Sequence, residues 1–330
     1  MLPDRLALVD LPTPLHELPR FSAAVGARVL CKRDDVLGPG FAGNKVRKLE
    51  RTLAQARAQG ADAVVTLGAA QSNHARATAA ACARLGWRCV LVLGGDEPHG
   101  PPSGNVLLDR LFGAELVHAG TTDWAALAER AETEAARLRA AGAHPVVLPA
   151  GGSTPVGAAA FADAYDELLA QLDARGVETA ELVHATSTGG THAGLVAGRL
   201  RAGRGPRIRG VLVIEDLGGA IGELHAWLAR EAAALHGAPA EVAAADLLLD
   251  HDQLGAGYGA PTPEGLAAIR LLAETEAIVC DPVYSGKALA GLIHRARSGA
   301  YGEAPVVFWH TGGWPAAFAP DHAASLTRGR

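Results

Sequence analysis

Residues 61–86 read ADAVVTLGAAQSNHARATAAACARLG, which is a short β-rich run, a polar turn and an alanine-rich helical pattern. The β-rich run is almost continuously apolar, as is typical of a strand buried on both faces of a sheet. Ligands of α/β sheets bind at the carboxyl ends of the strands, where this turn would lie. The stretch therefore predicts an α/β fold with a ligand site near residues 71–74.

The same alternation of strand and helix patterns extends along the chain in two series. The first series has strand patterns at 61–67, 88–93, 114–119 and 144–152, and the second has them at 180–185, 208–214, 246–250, 277–282 and 305–310. We predict two open, twisted, mostly parallel sheets covered by helices, with VLCKRDD near the N-terminus joining the second sheet. The predicted smaller domain is 45–150, the larger one is 1–44 plus 151–330, and the cleft between them holds the ligand.

Composition excludes several classes of protein. The 330 residues carry a net charge of −5 without a basic stripe, which argues against nucleic acid as a partner. Apolar stretches are interrupted well before bilayer-spanning length and MLPDRLALVD lacks an export signal, so we expect a cytoplasmic protein without a membrane partner. The cysteines have no metal-ligand spacing, so we expect buried thiols and no metal site; they are Cys31, Cys82, Cys89 and Cys280.

Lysine is rare in this chain. Only four of the 30 basic residues are lysine, namely Lys32, Lys45, Lys48 and Lys287. Arginine serves for ordinary surface charge, whereas only lysine has an amine that can lose its proton near neutral pH. These four positions are therefore candidates for amine chemistry.

Residues 37–50, LGPGFAGNKVRKLE, contain glycines at the spacing of a dinucleotide-binding fingerprint. The charged residues at 32–35 interrupt any strand leading into these glycines, so a dehydrogenase is disfavoured. We instead expect a turn followed by a helix capped at Asn44, with Lys45, Arg47 and Lys48 in its first turn. These cations oppose the helix dipole. They are either solvated or arranged to lower the pKa of a lysine for nucleophilic attack.

Two further polar turns follow predicted strands. In QSNH (71–74), Ser72 is expected to cap the next helix, and the free N–H groups there also suit a substrate carboxylate. His74 alone is typical of a packed or surface histidine. TSTGGTHAG (186–194) has the small and hydroxylated residues of a phosphate-binding loop, although a plain tight turn would look similar.

Five ordered motifs are NKVRKLE (44–50), QSNH (71–74), TGGTHAG (188–194), DPVYSGK (281–287) and HTGGWPA (310–316). With them the chain resembles the D-cysteine desulfhydrase and 1-aminocyclopropane-1-carboxylate (ACC) deaminase family, from about Leu11 to Ala317. The resemblance implies a fold-type II pyridoxal-phosphate enzyme, similar to the tryptophan synthase β chain, that forms a homodimer. It also implies that pyridoxal 5′-phosphate is bound as an aldimine on Lys45.

The same resemblance implies the other site residues. Asn73 would contact the phenolic oxygen of the cofactor, and the phosphate would lie on Thr188, Gly189, Gly190 and Thr191. The substrate carboxylate would be received by Gln71, Ser72, Asn73 and His74. Tyr258 and Tyr284 match the active-site tyrosines, and together with Lys45 and Ser72 they form the predicted catalytic set.

Two motif positions separate the subfamilies. This chain has Ser285 and Thr311 where the deaminase type carries Glu and Leu, so the resemblance favours the desulfhydrase type. A hydroxyl at Ser285 beside the pyridine nitrogen would leave the ring a weaker electron sink than a carboxylate would. Ala42 replaces a glycine of the family motif, and Trp314 is larger than the family pattern, which predicts a reshaped substrate pocket.

The predicted reaction is β-elimination on a small amino acid, with D-cysteine giving pyruvate, ammonia and hydrogen sulfide. The alternatives are an L-cysteate sulfo-lyase, an ACC deaminase or a homologue in a biosynthetic pathway. From a different class, an idle cofactor-binding regulatory homologue also fits the fold, because fold alone does not fix function.

Overall fold

The computed structural model describes residues 2–238 and 241–327. One sheet of six strands is formed by β1 (Leu15–Glu17), β2 (Val29–Arg33), β7 (Glu181–Thr186), β8 (Arg207–Leu212), β9 (Leu248–Asp250) and β10 (Val306–His310). The strand order is β1-β2-β10-β7-β8-β9. β1 pairs antiparallel with β2, and the remaining neighbours pair parallel.

The chain between β2 and β7 forms a second sheet of four parallel strands. It consists of β3 (Ala63–Ala69), β4 (Arg88–Gly94), β5 (Glu115–His118) and β6 (Pro145–Leu148). The order is β5-β4-β3-β6, so the strand quoted from residues 61–67 is central.

Helices cover both faces of each sheet. In chain order they are α1 (Pro19–Val25), α2 (Gly38–Phe41), α3 (Lys45–Ala58), α4 (Asn73–Leu85), α5 (Gly104–Leu111), α6 (Trp124–Ala140), α7 (Pro155–Asp173), α8 (Gly190–Ala202), α9 (Ala220–Leu235), α10 (Pro263–Glu276), α11 (Ser285–Arg297) and α12 (Pro320–Thr327). Neighbouring strand residues point to opposite faces. Thus Leu182 packs under α7, α8 and α9, whereas Val183 packs under α1, α10 and α11. In the smaller sheet Val64 faces α3 and α4, and Val65 faces α6.

The predicted α/β class with two mostly parallel sheets is confirmed, and the N-terminal VLCKRDD joins the second sheet as β2. The strand predicted at 277–282 is wrong, because no strand is formed there. Ile278 and Cys280 are buried, but both edges of β10 are already taken by β2 and β7. The ring of His310 instead donates to the carbonyl oxygen of Val279 at 3.1 Å.

The four cysteines are buried free thiols, as expected. Burial raises the pKa of the Cys280 thiol well above its usual value, which keeps it protonated. Within the described residues, we find no helix with the length and apolarity needed to cross a membrane.

Candidate active site

A cavity of about 1090 Å³ is lined by residues from the carboxyl ends of strands in both sheets. Gly68 and Ala69 end β3, Thr186 ends β7, and Thr311 follows β10. The cavity brings together most of the predicted site residues: Lys45, Ser72, Asn73, His74, Thr188, Gly189, Gly190, Thr191, Tyr258, Tyr284 and Thr311. Gln71, Ser285 and Trp314 are not among its lining residues.

Lys45 is the first residue of α3, and two loops in close contact hold it in place. Gly43 and Gly312 form a β-bridge, and the Asn44 N–H donates to the carbonyl oxygen of Thr311 at 3.1 Å. Gly43 has φ 146°, and a Cβ there would lie 2.3 Å from the Thr311 carbonyl oxygen. Only glycine fits such a close approach. The loop after β10 therefore lies directly against the start of the lysine helix.

Lys45 lines the wall of the cavity and is only partly exposed. Burial lowers the pKa of Lys45 to about 8, because desolvation disfavours the charged form. Roughly one amine in ten is then neutral at pH 7, compared with very few at an ordinary lysine. The neutral form is the nucleophile.

The predicted helix cap at Asn44 is wrong. Asn44 has helical backbone angles (φ −62°, ψ −20°) and its side chain makes no capping bond. Its Nδ2 atom instead donates to the hydroxyl of Thr191 at 2.9 Å. The side chain therefore joins the start of α3 to the first turn of α8, so that two predicted cofactor-binding segments are held together.

Arg47 is not a solvated cation, because acidic residues from distant parts of the chain compensate it. Its guanidinium makes ion pairs of 2.8 Å with Asp34 and 2.9 Å with Glu167, and Lys32 also pairs with Glu167. Burial opposes ionisation of Glu167, but the hydrogen bonds from Arg47 lower the pKa of Glu167 to about 2. Arg47 thus anchors α3 to α7 and to the segment after β2.

Lys48 is buried next to the loop that begins α8. Its Nζ atom lies 3.2 Å from the Gly151 carbonyl oxygen and 3.4 Å from the Ser153 hydroxyl. No carboxylate of the described residues lies within ion-pair distance of it. Burial, together with the charge of Lys45, lowers the pKa of Lys48 well below its usual value. A Cβ on Gly190 would lie 2.8 Å from this amine. A buried amine at a helix N-terminus is suited to an anion.

The turn before α4 is organised by hydrogen bonds to its neighbours. Ser72 caps the helix as predicted, because its hydroxyl accepts from the Ala75 N–H at 3.1 Å. The Asn73 side-chain oxygen accepts from Arg76 at 3.1 Å and from Asn105 at 2.9 Å. With its oxygen occupied, Asn73 offers the cavity its amide nitrogen as a donor.

Gln71 is turned away from the cavity, contrary to its predicted role in substrate binding. Its Oε1 atom accepts from the Asn105 N–H at 2.8 Å, and its Nε2 atom donates to the Ser103 carbonyl oxygen. The first turn of α5 needs such an acceptor, which explains the placement. His74 does line the cavity, where it bonds the Thr66 hydroxyl at 3.0 Å. Burial lowers the pKa of His74 well below its usual value.

Two tyrosine hydroxyls meet in the cavity wall. The hydroxyl oxygens of Tyr258 and Tyr284 are 2.5 Å apart. Burial raises the pKa of Tyr284 well above its usual value, so its phenol stays protonated and can donate. Trp124, the first residue of α6, packs edge-on against Tyr258 with ring centroids 6.4 Å apart. The cavity is thus bounded by contacts between residues from both sheet units.

Ser285 and Trp314 depart from their predicted surroundings. The Ser285 hydroxyl donates to Oδ1 of Asp281 at 2.5 Å, so a buried carboxylate lies directly behind the hydroxyl that was expected to act alone. The Trp314 indole N–H donates to the Asp35 carbonyl oxygen, and its ring packs on Phe318. The predicted reshaping of the pocket by Trp314 is therefore not seen.

A family model described as pyridoxal-phosphate dependent enzyme matches residues 6–312. The chain belongs to the pyridoxal-phosphate dependent enzymes. A D-cysteine desulfhydrase from Klebsiella pneumoniae (strain 342) is 40% identical over 324 residues, covering 96% of this chain and 95% of the relative.

Two solved structures have the same fold as this chain. A structure described as an ACC deaminase homologue is 38% identical with a TM-score of 0.89, covering 98% of this chain and 95% of that one. A fungal L-serine ammonia-lyase from Rhizomucor miehei is 16% identical with a TM-score of 0.69, covering 97% and 98% of the two chains. The second likeness shows the fold alone.

The residues present fit pyridoxal phosphate. The cofactor needs an amine for its aldehyde, positive groups for its phosphate and a donor for its phenolic oxygen. Lys45 offers a partly neutral amine, and Lys48, which has no carboxylate partner in the described part of the chain, lies beside the N-terminus of α8. Asn73 offers an amide nitrogen because its oxygen is already bonded.

Sequence reasoning missed some residues of this pyridoxal-phosphate enzyme. Lys48 was considered only as a cation near Lys45 and not as a phosphate ligand, although three residues after Lys45 it lies on the same helix face. Ser153 and Trp124 gave no signal, since the first bonds Thr188 and the second packs on Tyr258, both distant in sequence. Arg76 was also missed, although a buried arginine in an alanine-rich helix indicates polar partners.

Proposed function

We propose that this pyridoxal-phosphate enzyme catalyses β-elimination on D-cysteine, which with one water gives pyruvate, ammonia and hydrogen sulfide. The observation that carries the proposal is the 2.5 Å contact between the Tyr258 and Tyr284 hydroxyls in the cavity that also holds Lys45. Such a pair can protonate a leaving thiolate. The 40% identical relative, named D-cysteine desulfhydrase, supports the choice of substrate.

The bound cofactor supplies an aldehyde that attaches to an amine and a ring that withdraws electrons from the substrate α-carbon. Ser72 and the N–H groups at the start of α4 receive the substrate carboxylate. Lys45 and Ser72 both line the cavity and are the two candidates for removing the α-proton. One of the two tyrosines donates a proton to the sulfur as the carbon–sulfur bond breaks.

Different parts of the cofactor are bound by different residues in this proposal. Lys48 and the Thr188–Thr191 segment bind the phosphate, and Asn73 donates to the phenolic oxygen. Ser285, whose hydroxyl is bonded to Asp281 and does not line the cavity, is assigned to the pyridine nitrogen from the family resemblance. Thr311 bounds the substrate side of the pocket.

Three wider expectations belong to the same proposal. The protein divides into a smaller domain at 45–150 and a larger one at 1–44 plus 151–330. It forms a homodimer, which a measurement of its mass in solution tests. It acts in the cytoplasm on a small amino acid, without nucleic acid or membrane as a partner.

A substrate panel tests the proposed reaction. The purified enzyme should release hydrogen sulfide and pyruvate in equal amounts from D-cysteine, faster than it releases sulfite from L-cysteate or 2-oxobutyrate from ACC. Release of 2-oxobutyrate in the absence of sulfide would make the protein an ACC deaminase. If no product forms from any compound while the cofactor is bound, the protein is not this lyase.

Ser72→Ala should lower kcat/KM about 10- to 100-fold while cofactor absorbance is retained, because the hydroxyl is proposed to lie beside the substrate. The variant also loses the helix cap, which costs about 1 kcal/mol of stability. Thr154→Ala is the matched control. It removes the hydroxyl cap of α7, which accepts from the Gly157 N–H at 3.0 Å outside the cavity lining. Equal kinetic losses in the two variants would leave Ser72 as a helix cap only.

A further inference from the structure

Lys287 is a buried lysine of the DPVYSGK motif to which the proposed function gives no role. It lies in the first turn of α11 and is 0% exposed. Its Nζ atom donates to the carbonyl oxygens of Leu254 at 2.7 Å and Gly257 at 3.2 Å. Among the described residues no carboxylate is within ion-pair distance of it. A buried ammonium is costly unless its hydrogen bonds are made, so these two carbonyls fix its position.

The segment that Lys287 holds carries Tyr258. Gly257, the residue before the tyrosine, has φ 132° and is also close to Glu215, whose carboxylate accepts from the Tyr258 N–H at 3.4 Å. Within 251–260 the chain forms turns and irregular backbone, with no helix or strand to hold it. The hydrogen bonds made by Lys287 of α11 and by Glu215 therefore fix the position of the Tyr258 backbone.

Tyr284 is fixed by the same part of α11. It is the residue before the helix, and its N–H donates to Oδ2 of Asp281 at 2.8 Å. Lys287 is three residues further along the chain, on the turn that follows. The first turn of α11 thus sets the position of Tyr284 directly and that of Tyr258 through the Lys287 amine.

We propose that Lys287 is a positioning residue that holds the Tyr258 hydroxyl against the Tyr284 hydroxyl, and so sets up the proton donor for the leaving group. The expected effect on D-cysteine turnover rests on the proposed function. The effect of Lys287 on the contact between the two tyrosine hydroxyls does not. Loss of the amine frees the Leu254 and Gly257 carbonyls, and the 2.5 Å contact between the hydroxyls is no longer enforced.

The kinetic test uses two substrates that differ in their need for a proton. Chloride leaves β-chloro-D-alanine without protonation, whereas a thiolate is a poor leaving group. Lys287→Met should lower kcat/KM for D-cysteine about 10- to 100-fold, in line with loss of a general acid, and for β-chloro-D-alanine less than about threefold. Lys287→Arg, which keeps a cationic donor, should fall between Lys287→Met and the unmodified enzyme.

Arg295→Met is the matched control on the same helix. Arg295 pairs with Glu181 at 3.0 Å, away from the cavity lining, so this variant should treat the two substrates like the unmodified enzyme. Equal losses for both substrates in Lys287→Met would show that Lys287 only supports the fold, and the positioning role would be abandoned.

A second measurement does not depend on the substrate. Burial raises the pKa of Tyr258 above its usual value, and the hydrogen bond with Tyr284 partly offsets that rise. The holoenzyme has four tyrosines, so phenolate absorbance can be titrated and the Tyr258 signal assigned with Tyr258→Phe. Lys287→Met, or Lys287→Arg if the first does not fold, should shift the Tyr258 titration upward. An unshifted titration overturns the positioning role, whereas failure of D-cysteine alone overturns only the proposed substrate.

Discussion

Lys45→Ala is expected to abolish both the visible absorption of the bound cofactor and its reductive attachment by borohydride. Turnover should fall by at least about 10³-fold, because Lys45 is proposed to supply the amine that bonds the cofactor and is one of two candidates for moving the substrate α-proton. Lys32 and Lys287 do not line the cavity. Lys48 does, but its amine is bonded to the Gly151 carbonyl oxygen and the Ser153 hydroxyl. No such bond from the described residues holds the Lys45 amine, whose pKa burial lowers to about 8. Absorbance spectra and peptide mapping after borohydride treatment measure the result.

Mapping of the covalent label gives the internal control for this prediction. In the unmodified protein the label should occur on the peptide that contains Lys45, and Lys287→Met should retain it there. A label on Lys48 or Lys287 in the unmodified protein would contradict the assignment of Lys45.

Lys48→Met should weaken pyridoxal phosphate binding by roughly 30-fold or more, because a buried cation is removed from a phosphate. In the absence of cofactor the same change should not destabilise the protein. The pKa of Lys48 is lower in the folded chain than in the unfolded one, so its proton disfavours folding at neutral pH. That cost declines as the pH rises through the folded pKa toward the unfolded value. Cofactor titration and denaturant unfolding of the cofactor-free protein at pH 7 measure the two effects.

Ser153→Ala is the control for the Lys48 variant. Its hydroxyl lies 3.4 Å from the Lys48 amine and accepts from the Gly190 N–H, but it carries no charge. We expect it to weaken cofactor binding only a few-fold, as for a neutral hydrogen bond. Similar losses in Ser153→Ala and Lys48→Met would mean that the charge of Lys48 does not act on the phosphate.

The sequence was sufficient to predict the strands whose own apolar composition indicates that they are buried in a sheet. The runs at 61–67 and 305–310 are apolar, and both lie in the interior of a sheet. The run at 277–282 is equally apolar and is buried in part, yet it forms no strand. An apolar composition indicates that a segment is buried, but a strand also needs an unoccupied sheet edge to pair with. Whether such an edge exists depends on strands elsewhere in the chain.

Polar side chains of the site show the same limit. The cap at Ser72 was predictable because its partner, the Ala75 N–H, is three residues away. Asn44 was the same kind of candidate, but Thr191 offers it a partner 147 residues further along the chain. Likewise, the Gln71 side-chain oxygen accepts from the Asn105 N–H and does not face the substrate side of the cavity. Local rules fail where a distant partner competes for the same side chain.

The attachment of α3 determines which part of the site can move. Arg47 anchors this helix to Asp34 and Glu167, beside the larger sheet, although the whole helix was predicted to lie in the smaller domain. A hinge motion that widens the cleft would therefore leave Lys45 in place against the loop after β10. The β3–α4 turn with Ser72, and Trp124 on α6, would swing away. Substrate exchange would then move Ser72 and Asn73, and with them the proposed contacts to the substrate carboxylate and to the phenolic oxygen, while Lys45 keeps its position.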